Sequence, residues 1–84
     1  MILPIQIRSA RALLGLSQQD LAKQARVSLG TVKRIELAET EVGATVKTMM
    51  LIQRALERSG VLFIEQDDRG GPGVRLREPL RESE

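Results

Sequence analysis

Hydrogen-bonding and cationic side chains crowd into one short stretch of this 84-residue chain, from Gln18 to Arg34. Gln18 and Gln19 come first, then Ser28 and Thr31, then the adjacent cations Lys33 and Arg34, with Lys47 further on. These residue types make contacts rather than break bonds. An arginine fork matches O6 and N7 of guanine, and a lysine reaches a guanine or a phosphate. Amides and hydroxyls bond phosphate oxygens. Catalysis has little to work with. The chain has no histidine and no cysteine, so no imidazole can activate Ser17, Ser28 or Thr31, and a His- or Cys-based metal site is excluded. Lys23 and Lys33 would need burial to become nucleophiles, which a solvent-facing helix does not give. The expectation is a binding protein, not an enzyme, without cofactor or metal.

The stretch SQQDLAKQARVSLGTVKRIE, Ser17 to Glu36, must position these groups. It reads as two short helices and a tight turn. The first is predicted from Gln18 to Ala25 behind Ser17, the second from Leu29 to Glu36 behind Ser28. Each serine is a good N-cap, because its hydroxyl accepts from a free amide of the first turn. Asp20, three residues after Ser17, completes a near capping box and suits the helix dipole. Leu21, Ala22 and Ala25 give the first helix a narrow face of small residues that a second helix can cross closely. Val32 and Ile35 face inward on the second helix, and Val27 plugs the angle between them. A second helix held this way projects from the body and can enter a DNA major groove.

The order S-Q-x-x-L-A-x-x-A-x-V-S-x-x-T-V-x-x-I-E resembles the Cro/repressor-type (XRE) helix-turn-helix family of bacterial and phage DNA-binding proteins. The match spans roughly Ile5 to Arg58. One departure is Arg26, where the family usually has glycine. If that position keeps positive φ, arginine costs about 1 kcal/mol against glycine. The resemblance implies roles residue by residue. Gln18 would point at a phosphate, with Gln19 beside it at the same helix end. Leu29, Gly30, Lys33 and Arg34 match base-reading positions, and Ser28 and Thr31 would serve bases or phosphates. Leu29 suits a thymine methyl. Gly30 has no side chain to read with and weakens a helix by about 1 kcal/mol, so its use there is clearance. Arg11 would pair with Glu36, a structural ion pair.

Around this stretch the chain reads simply. Met1 to Pro4 are expected to form a loose arm. Ile7, Ala10, Arg11 and Leu14 lie on one face of a first helix that starts near Pro4 or Ile5 and ends at Gly15. Leu37 to Ala44 are expected to form a loop bearing Glu39 and Glu41, which would repel phosphate; either the loop stands off from the DNA, or its backbone amides near Val42 and Gly43 make the contact. Thr45 caps a fourth helix, with Lys47 in its first turn. A lysine at that end of the dipole points mildly to a phosphate partner. Met49-Met50-Leu51-Ile52 is too wide an apolar run for one buried stripe. After Gly60, Val61–Ile64 and Val74–Arg77 read as a hairpin around the turn QDDRGGPG. Glu65, Asp67 and Asp68 there read as solvated acids, not a metal site. The hairpin resembles the C-terminal extension of a group of short bacterial XRE-type proteins. A lone hairpin is marginal, so it must pack on the helices, pair with a second copy, or both.

Composition bounds the whole. No apolar run approaches a membrane span, and no secretion signal is expected ahead of the fold. Residues 1–60 hold nine Lys/Arg against five Asp/Glu, so +4, while residues 61–84 hold four against six, so −2. The expected architecture is mainly α: a lambda-repressor-like helix-turn-helix bundle of four to five short helices with a C-terminal β-hairpin. The expected division is a DNA-binding domain over 1–60, a hairpin over 61–78 with a possible dimerisation role, and a disordered tail over 79–84. The expected function is a sequence-specific regulator, a repressor more readily than an activator, binding an inverted repeat as a homodimer through residues 28–36. Expected partners are double-stranded DNA and a second copy, with another protein as a further candidate, in the bacterial cytoplasm and on the nucleoid. An antitoxin with the same fold is the alternative, or an interaction module that has lost DNA binding.

Overall fold

The computed structural model describes residues 1–38 and 44–81. Four helices, α1 (Pro4–Leu14), α2 (Gln18–Ala25), α3 (Leu29–Leu37) and α4 (Val46–Arg58), lead into a hairpin of β1 (Val61–Ile64) and β2 (Gly73–Leu76). The predicted capping chemistry sets most helix ends. Ser17 Oγ accepts from Asp20 N–H at 2.9 Å while Asp20 Oδ2 accepts from Ser17 N–H at 3.0 Å, a complete capping box. Ser28 and Thr45 cap α3 and α4 through the N–H groups of Thr31 and Thr48. Gly15 closes α1 at φ 68°. Arg26 closes α2 at φ 59°, with Val27 N–H on Ala22 O at 3.0 Å. The turn therefore keeps the left-handed residue that glycine would suit, and arginine occupies it under strain.

The N-terminal residues correct one expectation. Met1–Pro4 is not a loose arm: Ile2 is 6% exposed and sits in the core, and Pro4 is buried. Leu3 is the N-cap of α1, which places Ile2 at N′ and Ile7 at N4. These are the positions of a hydrophobic staple, and both residues join the core. Leu3 N–H donates to Gln6 Oε1 at 2.8 Å.

The core runs from Ile2 through Ile7, Leu21, Val32, Ile35, Met49, Ile52 and Leu56 to Val61. Each such side chain contributes roughly 1.5–3 kcal/mol by leaving water. The wide apolar run on α4 divides: Met49 and Ile52 are buried, Leu51 is half-buried and Met50 faces out. The strands pair antiparallel, Val61 with Leu76 through Ile64 with Gly73. Strand β2 starts one residue earlier than predicted, at Gly73, and Arg77 N–H continues the pairing to Gly60 O at 2.8 Å. The hairpin packs on the helices through Val61, fully buried, with Phe63, Val74 and Leu76 beside it, and through two polar pins, one of them Arg77 Nη2 donating to the Glu57 carbonyl of α4. Gln6, itself 5% exposed, donates from Nε2 to Ile64 O at 3.1 Å and to Gly73 O at 2.9 Å. The acidic loop residues Glu39 and Glu41, with Val42 and Gly43, lie outside the described residues, as do 82–84 of the expected tail. Pro79 to Arg81 are exposed and belong to no element.

Candidate nucleic-acid interface

Glu36 is the post on which the interface hangs. It lies in the last turn of α3 and is 5% exposed. Arg11 reaches it from α1 with both prongs, Nε to Oε2 and Nη2 to Oε1, each at 2.7 Å. Arg11 Nη1 also bonds Leu16 O at 3.0 Å. Such bidentate charge-assisted pairs fix orientation as well as energy. The Glu36 hydrogen bond raises the Arg11 pKa further above its usual value, against the opposing pull of desolvation. From α2, Gln18 Nε2 donates to the same Oε1 at 3.1 Å. Arg8, on α1, donates to the Glu36 carbonyl oxygen. One carboxylate therefore ties α1, α2 and α3 together, and the angle at which α3 leaves the body is set by polar bonds as well as by Val32 and Ile35.

The outward side of α3 carries the candidate contact residues. Ser28, Gly30, Lys33 and Arg34 are exposed; Leu29 and Thr31 are half-buried. Ser28 Oγ lies 2.7 Å from Thr31 Oγ1, so the two hydroxyls form one polar point at the helix start. Among the described residues nothing demands a glycine at position 30: an added Cβ would meet only Ser28 Oγ, at 4.0 Å. The missing side chain leaves space on the solvent side alone. At the start of α2, Gln19 is exposed and Gln18 half-buried. An amide nitrogen carries two hydrogens, so the bond from Gln18 to Glu36 holds the side chain in place and uses only one of its two donors. Lys47 is exposed in the first turn of α4, a turn without an acidic residue.

Sequence reasoning missed Arg8. Its spacing of three residues from Arg11 puts both cations on the α3 side of α1, a signal available in the sequence. Among the described residues no group of three or more acids could hold a metal. Asp67 serves the hairpin turn instead, its Oδ1 accepting from the N–H groups of Arg69 and Gly70 at 2.8 and 3.0 Å. No helix among the described residues is long and apolar enough to cross a membrane.

A family model described as Helix-turn-helix matches residues 7–63, more than half of the chain, from within α1 into β1. No curated protein matches.

Proposed function

The chain belongs to the Cro/repressor-type helix-turn-helix family of DNA-binding proteins, and from that premise we propose that it is a sequence-specific repressor that binds an inverted repeat as a homodimer. One observation carries the reading. The exposed side of α3 offers Ser28, Lys33 and Arg34 around a Gly30 that the described residues do not require. A recognition helix needs donors and close approach on the same side. Arg34 takes a guanine through O6 and N7, and Leu29 packs on a thymine methyl. Gln18, Gln19, Lys47 and the Ser28–Thr31 pair hold phosphates and set register. Half-sites lie about 34 Å apart, one turn of DNA. The chain acts by occupancy, blocking transcription rather than catalysing a reaction, in the cytoplasm and on the nucleoid.

Selection of bound sequences from a random duplex pool at two salt concentrations tests this. The expected result is a two-fold symmetric site with half-sites roughly ten base pairs apart. Loss of all binding at moderate salt, without enrichment, would sink it. A second reading has its own support. Leu37, 83% exposed at the end of α3, and Val46, 59% exposed at the start of α4, are large apolar groups in water. They favour a protein partner at this end of the molecule, as an antitoxin or an interaction module would have. Co-purification with a protein encoded beside it, combined with failed selection, would support that reading.

A further inference from the structure

The outer edge of β2 is unpaired, and its chemistry is complementary to itself. The Arg77 N–H bond to Gly60 O fixes the ladder's parity. Leu62–Arg75 and Ile64–Gly73 are then the hydrogen-bonded pairs, so Val74 and Leu76 turn their N–H and C=O groups outward. Among the described residues nothing bonds them. Beside this edge, between β2 and α1, runs a groove of about 540 Å³, lined by Ile5, Ser9, Ala12, Leu13, Pro72 and Val74. Ile5 is 51% exposed and Leu13 45%. An open edge next to an uncovered apolar strip asks for a strand that brings its own apolar side chains.

We propose that a second copy fills this groove by antiparallel pairing of β2 with β2 across a two-fold axis at Val74. The arginines exclude two registers, and Pro72, with no N–H to answer the Val74 carbonyl, disfavours an axis at Gly73. An axis at Arg75 would set two guanidinium groups face to face in a narrow pair, with Cα atoms about 4.5 Å apart, where like charges repel. An axis at Leu76 would place Arg75 opposite the partner's Arg77, twice over. An axis at Val74 avoids both. Val74 exchanges both bonds with the partner's Val74, and Arg75 faces the partner's Gly73, which has no side chain to crowd it. Leu76 N–H reaches the partner's Pro72 C=O. Pro72, lacking N–H, ends the ladder there. Val74 and Leu76 share the inward face of the sheet and pack against their own core, so the pairing lays the still-exposed part of the partner's Val74 against the Pro72 and Val74 wall of the groove. Charge agrees with this register. The hairpin tip carries Glu65, Asp67 and Asp68 against Arg69, and antiparallel pairing brings each tip to the Arg75–Arg77 end of the other copy. The proposal rests on the homodimer reading above and names its interface.

The test uses the full chain, which contains no cysteine of its own. Sedimentation without DNA is expected to give a dimer mass. Val74→Cys is expected to form an intermolecular disulfide under mild oxidation at least about tenfold faster than Leu76→Cys, because only the residue on the axis meets its own copy within disulfide reach. A monomer throughout, or equal rates for the two cysteines, overturns the proposal, and sedimentation of the unsubstituted chain decides if either variant fails to fold. A symmetric DNA site recovered without Val74→Cys cross-linking removes the interface and leaves the regulator. Cross-linking with no selected site removes the regulator and leaves the interface.

Discussion

Arg26 holds φ 59° at the turn between α2 and α3, where an L side chain is crowded. Its replacement by glycine, Arg26→Gly, is expected to stabilise the fold by about 0.5–1 kcal/mol, read as a higher urea midpoint at unchanged slope. An unchanged midpoint would mean that the turn relieves the strain by itself. Lys47 and Arg34 differ in what they are proposed to touch, and substitution separates them. Lys47→Ala should weaken binding to every sequence alike. Arg34→Ala should relax preference at one base position by about 1–3 kcal/mol. Binding to the selected site and to scrambled duplexes checks this; equal changes in sequence preference for both variants would refute the assignment. At this scale the sequence is legible where a residue bonds its near neighbours, as Ser17 does with Asp20. Arg11 meeting Glu36 was foreseeable only through the resemblance, since nothing in spacing alone links positions 25 residues apart. Gln6 was not legible. Its partners Ile64 and Gly73 lie 58 and 67 residues away, and a glutamine on a helix reads as exposed until a strand end covers it.

Capped helix ends are the elements' most readable feature, and they carry a pH dependence. The hydrogen bond from Ser17 N–H, followed by the Ser17 side chain, holds the Asp20 carboxyl below its ordinary 3.8. A carboxyl more acidic in the folded chain than in the unfolded one stabilises the fold at neutral pH. That contribution is lost as pH falls through the folded-state value. The stability difference between the native chain and Asp20→Asn should therefore be largest at neutral pH and shrink below about pH 4. Urea unfolding at a series of pH values checks it, and a difference that stays constant down to pH 2 would show that the carboxylate's charge is irrelevant to the cap. Element boundaries followed the caps and glycines to within a residue at α3 and β2. The N-terminal arm did not, because a staple depends on what Ile2 finds to pack against. Four consecutive residues, Met1 to Pro4, look loose until α1 offers Ile7 as the other half.

Charge is distributed across the whole molecule along the line that divides its proposed tasks. The helical part carries the excess of cations and the hairpin part the excess of acids. Around α1 the two parts are kept apart: Arg8 and Arg11 face α3 and Glu36, while Gln6 faces the hairpin. The proposed DNA-facing side and the proposed self-pairing edge can then coexist on a chain of net charge only +2. The consequence is measurable in the salt dependence of binding. In the proposed complex each copy presents Lys33 and Lys47, with Arg34 beside them, to the duplex. A symmetric dimer therefore displaces counterions from roughly four to six phosphates, and log K should fall against log salt with a slope of about −4 to −5. A single copy would give about half that. Lys47→Ala should flatten the dimer's slope by about 2, one counterion for each copy. Titrations of the selected site between low and physiological salt read both numbers. A slope near −2 that Lys47→Ala lowers by only about 1 would mean that one copy binds at a time, and the inverted repeat would lose its physical basis even if the sequence preference survived.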